Sequence, residues 1–229
     1  MQCLRSRHHF HSTLCRYLKS FSISASSAAA TDLPQDFAFF PKFFNLAEQR
    51  TLLRAALQKL DSTESRSVRR RRKELLSSRL SQRPQTSESS IMDDFLPDDL
   101  YTFEEGHFDG VIKRFRETHV SSWGDLDTEA LQAVFNRLRA LYPTKGDTQM
   151  HILHLASDGE ILPHVDNIGA SGSWILGVSL GSERILHLER AGPTDSAASQ
   201  INVVDLLLPS GSVYVQKWVF SKWTVSFTN

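Results

Sequence analysis

Cysteine is nearly absent from this chain of 229 residues. Cys3 and Cys15 are the two it has, and both precede Arg16. Everything after them is excluded from disulfides, from a Cys-based zinc site and from a Cys nucleophile. A metal held there needs His and carboxylate ligands. Acidic residues are missing before Asp32, while Arg5, Arg7, Arg16 and Lys19 are present, and Ser and Ala fill residues 20–30. An Arg- and Ser-rich leader without acids or a continuous apolar centre predicts a mitochondrial transit peptide over residues 1–31. No run of eighteen apolar residues occurs, so no helical membrane span is expected. His is absent after His187, and Arg after Arg190.

What is present describes a globular domain over residues 32–229. Forty percent of the residues are apolar and fourteen are Phe, enough for one core of ordinary size. The chain has 26 basic and 26 acidic residues; without the four cations of the leader the balance is 22 to 26. That gives no general attraction to nucleic acid.

Residues 36–44 are aromatic and expected to be extended. Asn45 has the chemistry of a helix N-cap, with Glu48 as its reciprocal partner. Leu46, Leu53, Leu57 and Leu60 then share one helical face. Residues 62–90 shift in composition: six cations fall between Arg66 and Lys73, and Leu75, Leu76 and Leu80 suggest a short helix. A basic patch for nucleic acid or anionic lipid is one reading. A solvated, disordered insertion is the preferred one, since no aromatic interleaves the arginines. Residues 109–118 and 128–141 read as helices, the second with an apolar stripe at Leu131, Val134, Phe135, Leu138 and Leu141. Strands are expected at 149–155, 173–180, 183–189, 201–208 and 212–216. Gly181-Ser182 and Pro209-Ser210-Gly211 are the expected hairpin turns. Such a series suits an antiparallel jelly roll.

The chemistry gathers at Gly159-Glu160-Ile161-Leu162-Pro163-His164-Val165-Asp166. Residues two apart in a strand face the same side. His164 and Asp166 can therefore aim an imidazole and a carboxylate at one point. One more His from a neighbouring strand would complete a facial triad for Fe(II) with open positions. A polar turn is the competing reading.

The strings HILHLASDGEILPHVDNI, GSWILGVSL and LLLPSGSVYV resemble the core of the AlkB family of Fe(II)/2-oxoglutarate dioxygenases, most nearly its mitochondrial, necrosis-associated branch. The run YTFEEGHFDG from Tyr101, the segment from Phe115 to Trp123, and Phe43-Phe44-Asn45-Leu46 fit that branch as well. The likeness spans roughly residues 35–215. It implies an α+β fold with a double-stranded β-helix (jelly-roll) core and supporting helices. It implies Fe(II), with 2-oxoglutarate and O2 as co-substrates, His164 and Asp166 as metal ligands, and Tyr214 in contact with 2-oxoglutarate. His151 matches a His of the first barrel strand that would face the pocket. The branch further implies the mitochondrial matrix, roles in programmed necrosis and fatty-acid metabolism, and a protein substrate ahead of a methylated nucleic-acid base. A monomer is expected.

Departures from the pattern fall late. The family's second His ligand corresponds to Ser226, and its carboxylate-gripping arginines have no counterpart. Lys217 and Lys222 are the only late cations, and His187 comes too early for the third ligand. Residues 217–229 (KWVFSKWTVSFTN) do not resemble the family. They suggest a C-terminally truncated form of a dioxygenase, or alternatively a protein that binds without turnover.

Overall fold

The computed structural model describes residues 33–34, 36–82, 90–143, 148–166, 172–190, 203–217 and 223–228, with backbone alone for 79–82. The expected leader lies outside the described residues.

The fold is α+β with two antiparallel sheets. Strand β1 (Phe37–Phe40) is the extended aromatic segment. Helix α1 (Leu46–Ser62) starts at Asn45 with the expected capping box. Asn45 Oδ1 accepts from the Glu48 amide at 3.0 Å, and Glu48 Oε2 accepts from the Asn45 amide at 2.9 Å. Both bonds satisfy amides that the first helical turn leaves open.

The basic segment departs from expectation. Instead of a disordered insertion it forms helix α2 (Arg66–Gln82), while 83–89 lie outside the described residues. The reason is Arg72, whose side chain is buried and ion-paired with Asp61 and Glu64. Arg116 pairs with the same two carboxylates, and both guanidinium groups lie over the Tyr101 ring. Two buried cations matched to two acids anchor the helix to the end of α1.

Residues 109–118 are a second correction. They were expected to be helical, but β2 (Glu104–Gly106) and β3 (Ile112–Val120) form a hairpin. Phe115 is fully buried and Arg116 lies on the opposite face, an alternation of period two that tertiary pairing imposes. Helix α3 (Glu129–Arg139) follows, N-capped by Thr128. The strand expected at 149–155 and the stretch that carries His164 are a single strand, β4 (Met150–Val165). Its register against β3 shifts between Leu155 and Glu160, and an added Cβ at Gly159 there would lie 2.6 Å from the Arg114 carbonyl oxygen. Arg184 secures this irregularity by donating to the Gly159 and Ala156 carbonyls at 3.0 and 3.2 Å.

The remaining strands are β5 (Trp174–Val178), β6 (Arg184–Arg190), β7 (Val203–Leu208), β8 (Val213–Lys217) and β9 (Trp223–Thr228). One sheet has the order β1-β8-β5, the other β2-β3-β4-β9-β6-β7. The turns at Gly181-Ser182 and at Pro209-Ser210-Gly211 are therefore not hairpins. Each carries the chain from one sheet to the other, because β5 pairs with β8 and β6 pairs with β7 and β9. Residues of both sheets share one core: Phe37, Ile175 and Tyr214 from the smaller sheet meet Leu186, Leu188, Leu206, Leu208, Trp223 and Val225 from the larger. The other face of the smaller sheet, with Leu176, Val178 and Val213, packs on α1 and α3. This is the arrangement of a β-sandwich with helices on one side.

The segment without family likeness is part of this architecture. β9 lies between β4 and β6, and its Trp223 and Val225 are buried in the core.

Candidate functional site

Strand β4 ends at Val165, so Asp166 sits one residue past the strand that carries His164. His164 pairs in register with Val225 of β9, and directly opposed residues share a face. Val225 belongs to the core between the sheets. His164 therefore faces inward at the edge of the sandwich, while Val165 faces out and is exposed.

His164 Nδ1 donates to the Leu162 carbonyl at 2.9 Å, which leaves Nε2 for chemistry. Nε2 lies 3.4 Å from Asp166 Oδ1. The hydrogen bond to Asp166 holds the imidazole above its ordinary pKa. Burial opposes that rise, while the Leu162 carbonyl and the charges of Asp166 and Asp109 add to it. Asp109 comes from the β2–β3 hairpin, which is tied to the motif by the Leu162 amide donating to the Val111 carbonyl at 2.8 Å. Asp109 Oδ1 lies 2.8 Å from His107 Nδ1 and accepts from the Val111 amide at 2.9 Å.

Tyr214 lies on β8, partly buried in the core between the sheets. Burial pushes its phenol up, and the nearby charge of Asp166 adds to the rise. The phenol is thus a protonated donor across the physiological range. Its ring stacks on Phe37 at 5.5 Å between centroids and 9° between planes. His164, Asp166 and Tyr214 are the three residues for which the resemblance implies metal or co-substrate contacts; the fold pairs His164 with Asp166, and Tyr214 lies within range of the Asp166 charge.

His151 is not among them. It stacks on His119 at 4.6 Å and its Nε2 meets Glu117 Oε2 at 2.9 Å, with the side chain 39% exposed. Nor is Ser226. It pairs in register with His187, which binds Asp205 at 2.5 Å on the outer face of the larger sheet. Ser226 thus points away from the face shared by His164 and Val225.

A metal would find two donors here, an imidazole nitrogen and a carboxylate oxygen, at a separation that suits adjacent positions on one ion. Among the described residues no group of three or more His, Cys, Asp or Glu is placed to hold a metal. The pair does not amount to a facial triad.

Sequence reasoning missed two contributors. Gly177 on β5 gives the Tyr214 ring its room, and no local pattern marked it. Asp109 adds charge beside His164; the alternation in the hairpin strand was the available signal for its placement.

Fold and site together define a helix-flanked, two-sheet antiparallel protein with a His-x-Asp pair turned to its interior. Two curated relatives give that class a more particular setting. The first is the Bos taurus protein named alpha-ketoglutarate-dependent dioxygenase alkB homolog 7, mitochondrial. It is 36% identical over 119 residues, covering 49% of this chain and 48% of the relative. The Mus musculus protein of the same name is 35% identical over 114 residues, with the same two shares. The resemblance read from the sequence is thereby shown: over about half its length the chain is similar to the AlkB-like mitochondrial branch. The chain spans about half the length of the curated relatives it matches. No protein-family profile matches it. Among the described residues no helix is long and apolar enough to cross a membrane.

Proposed function

We propose that the protein is an AlkB-type, Fe(II)- and 2-oxoglutarate-dependent dioxygenase of the mitochondrial matrix, built on a jelly-roll core and acting on a C–H bond of a protein substrate. The observation that carries this is the inward-facing His164–Asp166 pair beside Tyr214, in a chain similar over half its length to proteins named as such dioxygenases. In this reading His164 and Asp166 are metal ligands, and O2 is the second co-substrate. Iron and 2-oxoglutarate supply the oxidising chemistry. The chain's own residues position and orient. The Leu162 carbonyl fixes the His164 ring, and Tyr214, kept protonated by burial, offers its hydroxyl to a carboxylate of 2-oxoglutarate.

A protein substrate is favoured because the balance of 22 cations to 26 acids outside the leader supplies no general basic groove for a flipped base. The monomeric state and the branch's roles in programmed necrosis and fatty-acid metabolism come with this reading. A second reading, binding without turnover, is favoured by the incomplete ligand set among the described residues.

The test is succinate release from 2-oxoglutarate by the full-length protein, supplied in turn with mitochondrial peptides and methylated RNA. Peptide-stimulated release that His164→Ala abolishes is the expected result. Release stimulated by the methylated base moves the substrate to nucleic acid. Background release with every substrate, together with retained 2-oxoglutarate binding, establishes the second reading.

A further inference from the structure

Helix α2 breaks several local rules at once. Its first turn contains no acidic residue. Arg66 and Arg69 sit instead at the positive end of the helix dipole, where cations are unfavourable. Arg66, Arg69, Arg70 and Lys73 follow the spacing i, i+3, i+4, i+7, so four like charges share one stripe about 10 Å long and repel one another. All four are exposed, as is Arg71, which lies toward the far side of the helix from the stripe. Of these five cations, Arg70 alone forms an ion pair among the described residues, with Glu74 at 2.8 Å.

A neighbouring side of the helix, about 110° around from the stripe, is held down. Arg72 is 2% exposed between Asp61 and Glu64, which fixes the rotation of the helix and turns the stripe outward. Leu75 and Leu76 flank the docked side at 36% and 38% exposure. Rules broken locally at a cost to stability are expected where function requires them.

We propose that the outer face of α2 docks on an anionic lipid surface. A straight row of cations on a convex helix matches a plane of phosphate headgroups, and Leu76, exposed beside Arg69 and Lys73, suits the headgroup–acyl boundary. Single-stranded nucleic acid is the less suited occupant: α2 carries no aromatic side chain on which a base could stack.

Flotation of the full-length protein with vesicles tests this. The lipids are phosphatidylcholine alone, and phosphatidylcholine mixed with phosphatidylglycerol. Binding to the mixed vesicles alone, weakened by salt, is the expected result. The fourfold variant R66Q/R69Q/R70Q/K73Q loses about five-fold in partitioning per charge removed. The pair Lys42→Gln and Lys217→Gln, both exposed and outside α1 and α2, changes little. Because Arg72 is untouched and a repulsion is removed, the fourfold variant keeps its helical circular dichroism and melts no lower than the parent. Equal binding to both vesicle types overturns the proposal. So does a fourfold variant that binds like the parent, and so does a single-stranded oligonucleotide that binds more tightly than the mixed vesicles and displaces the protein from them.

Discussion

The ring of Tyr214 lies over Gly177 of the neighbouring strand, so closely that a Cβ on residue 177 would sit 2.2 Å from its Cε1 and 2.6 Å from its hydroxyl oxygen. The two residues are direct partners in the β5–β8 register. The missing side chain on β5 is what lets a bulky phenol lie flat at the edge of the core, stacked on Phe37.

Gly177→Ala therefore displaces the ring and costs about 1–3 kcal/mol of stability through overpacking. In a Tyr214→Ala background the same change costs much less, since the clash is gone. Denaturant midpoints for the double-mutant cycle measure the difference. Equal costs in both backgrounds would mean that Tyr214 does not occupy the space above Gly177.

The register of β9 makes a metal-binding prediction. Val225, and not Ser226, shares a face with His164. Val225→His therefore gives tighter Co(II) binding with a changed visible spectrum, at a cost of about 1–3 kcal/mol for a polar group in the core. Ser226→His places its imidazole beside His187 and Asp205 instead, so it leaves the Co(II) spectrum of the His164 site unchanged, and any Co(II) it binds survives His164→Ala. A change with Ser226→His that His164→Ala abolishes would mean that β9 is shifted by one residue.

His154 predicts acid lability. Its Nδ1 accepts from Arg116 Nε at 2.9 Å, and its ring lies against Phe95, Tyr101 and Phe103. Burial pushes its pKa down to about 3; the charges of Arg116, Arg184 and Arg72 add to the fall, and Asp98 opposes it. The unfolded chain takes up this proton at a higher pH than the native one. The contribution to stability is therefore complete above about pH 6.5 and is lost as pH falls toward 3, by up to on the order of 4 kcal/mol. Asn at this position keeps an acceptor for Arg116 but does not titrate. His154→Asn flattens the acid limb of a plot of unfolding free energy against pH, and an unchanged slope would assign that limb to other groups.

His164 titrates in the other direction. Its imidazole is held above the ordinary value chiefly by Asp166. Its stabilising contribution is complete below the unfolded pKa and is lost as pH rises through the raised native value. Asp166→Asn lowers the titration midpoint toward 6.5, followed by the NMR shift of the His164 ring protons in metal-free protein. A midpoint that does not move would separate the two side chains.

Local signals in the sequence were read correctly where the physics is local. Asn45 with Glu48, Thr128 with its stripe, and the β-branched and apolar runs of β4 to β8 each satisfy backbone groups or one buried face within a few residues. The errors fell where distant partners decide. Lys113, Arg114, Arg116 and Glu117 look solvated in a linear reading. Pairing with β2 and β4 turns them into a strand, and Asp61 and Glu64, more than fifty residues before Arg116, make its burial affordable.

The same division runs through the site. By itself the sequence determined that no thiolate follows Cys15, that His164 and Asp166 stand at the spacing of one strand face, and that the chain resembles AlkB-like proteins, because residue chemistry and spacing two apart are properties of the linear chain. The tertiary structure alone decided which sheet each strand enters, that Tyr214 lies within range of the Asp166 charge, that Gly177 makes room for its ring, and that Ser226 lies buried on the face of β9 opposite Val225, beside His187. Those outcomes depend on hydrogen-bond register between strands far apart in sequence, and a shift of one residue there would reverse the face of every side chain.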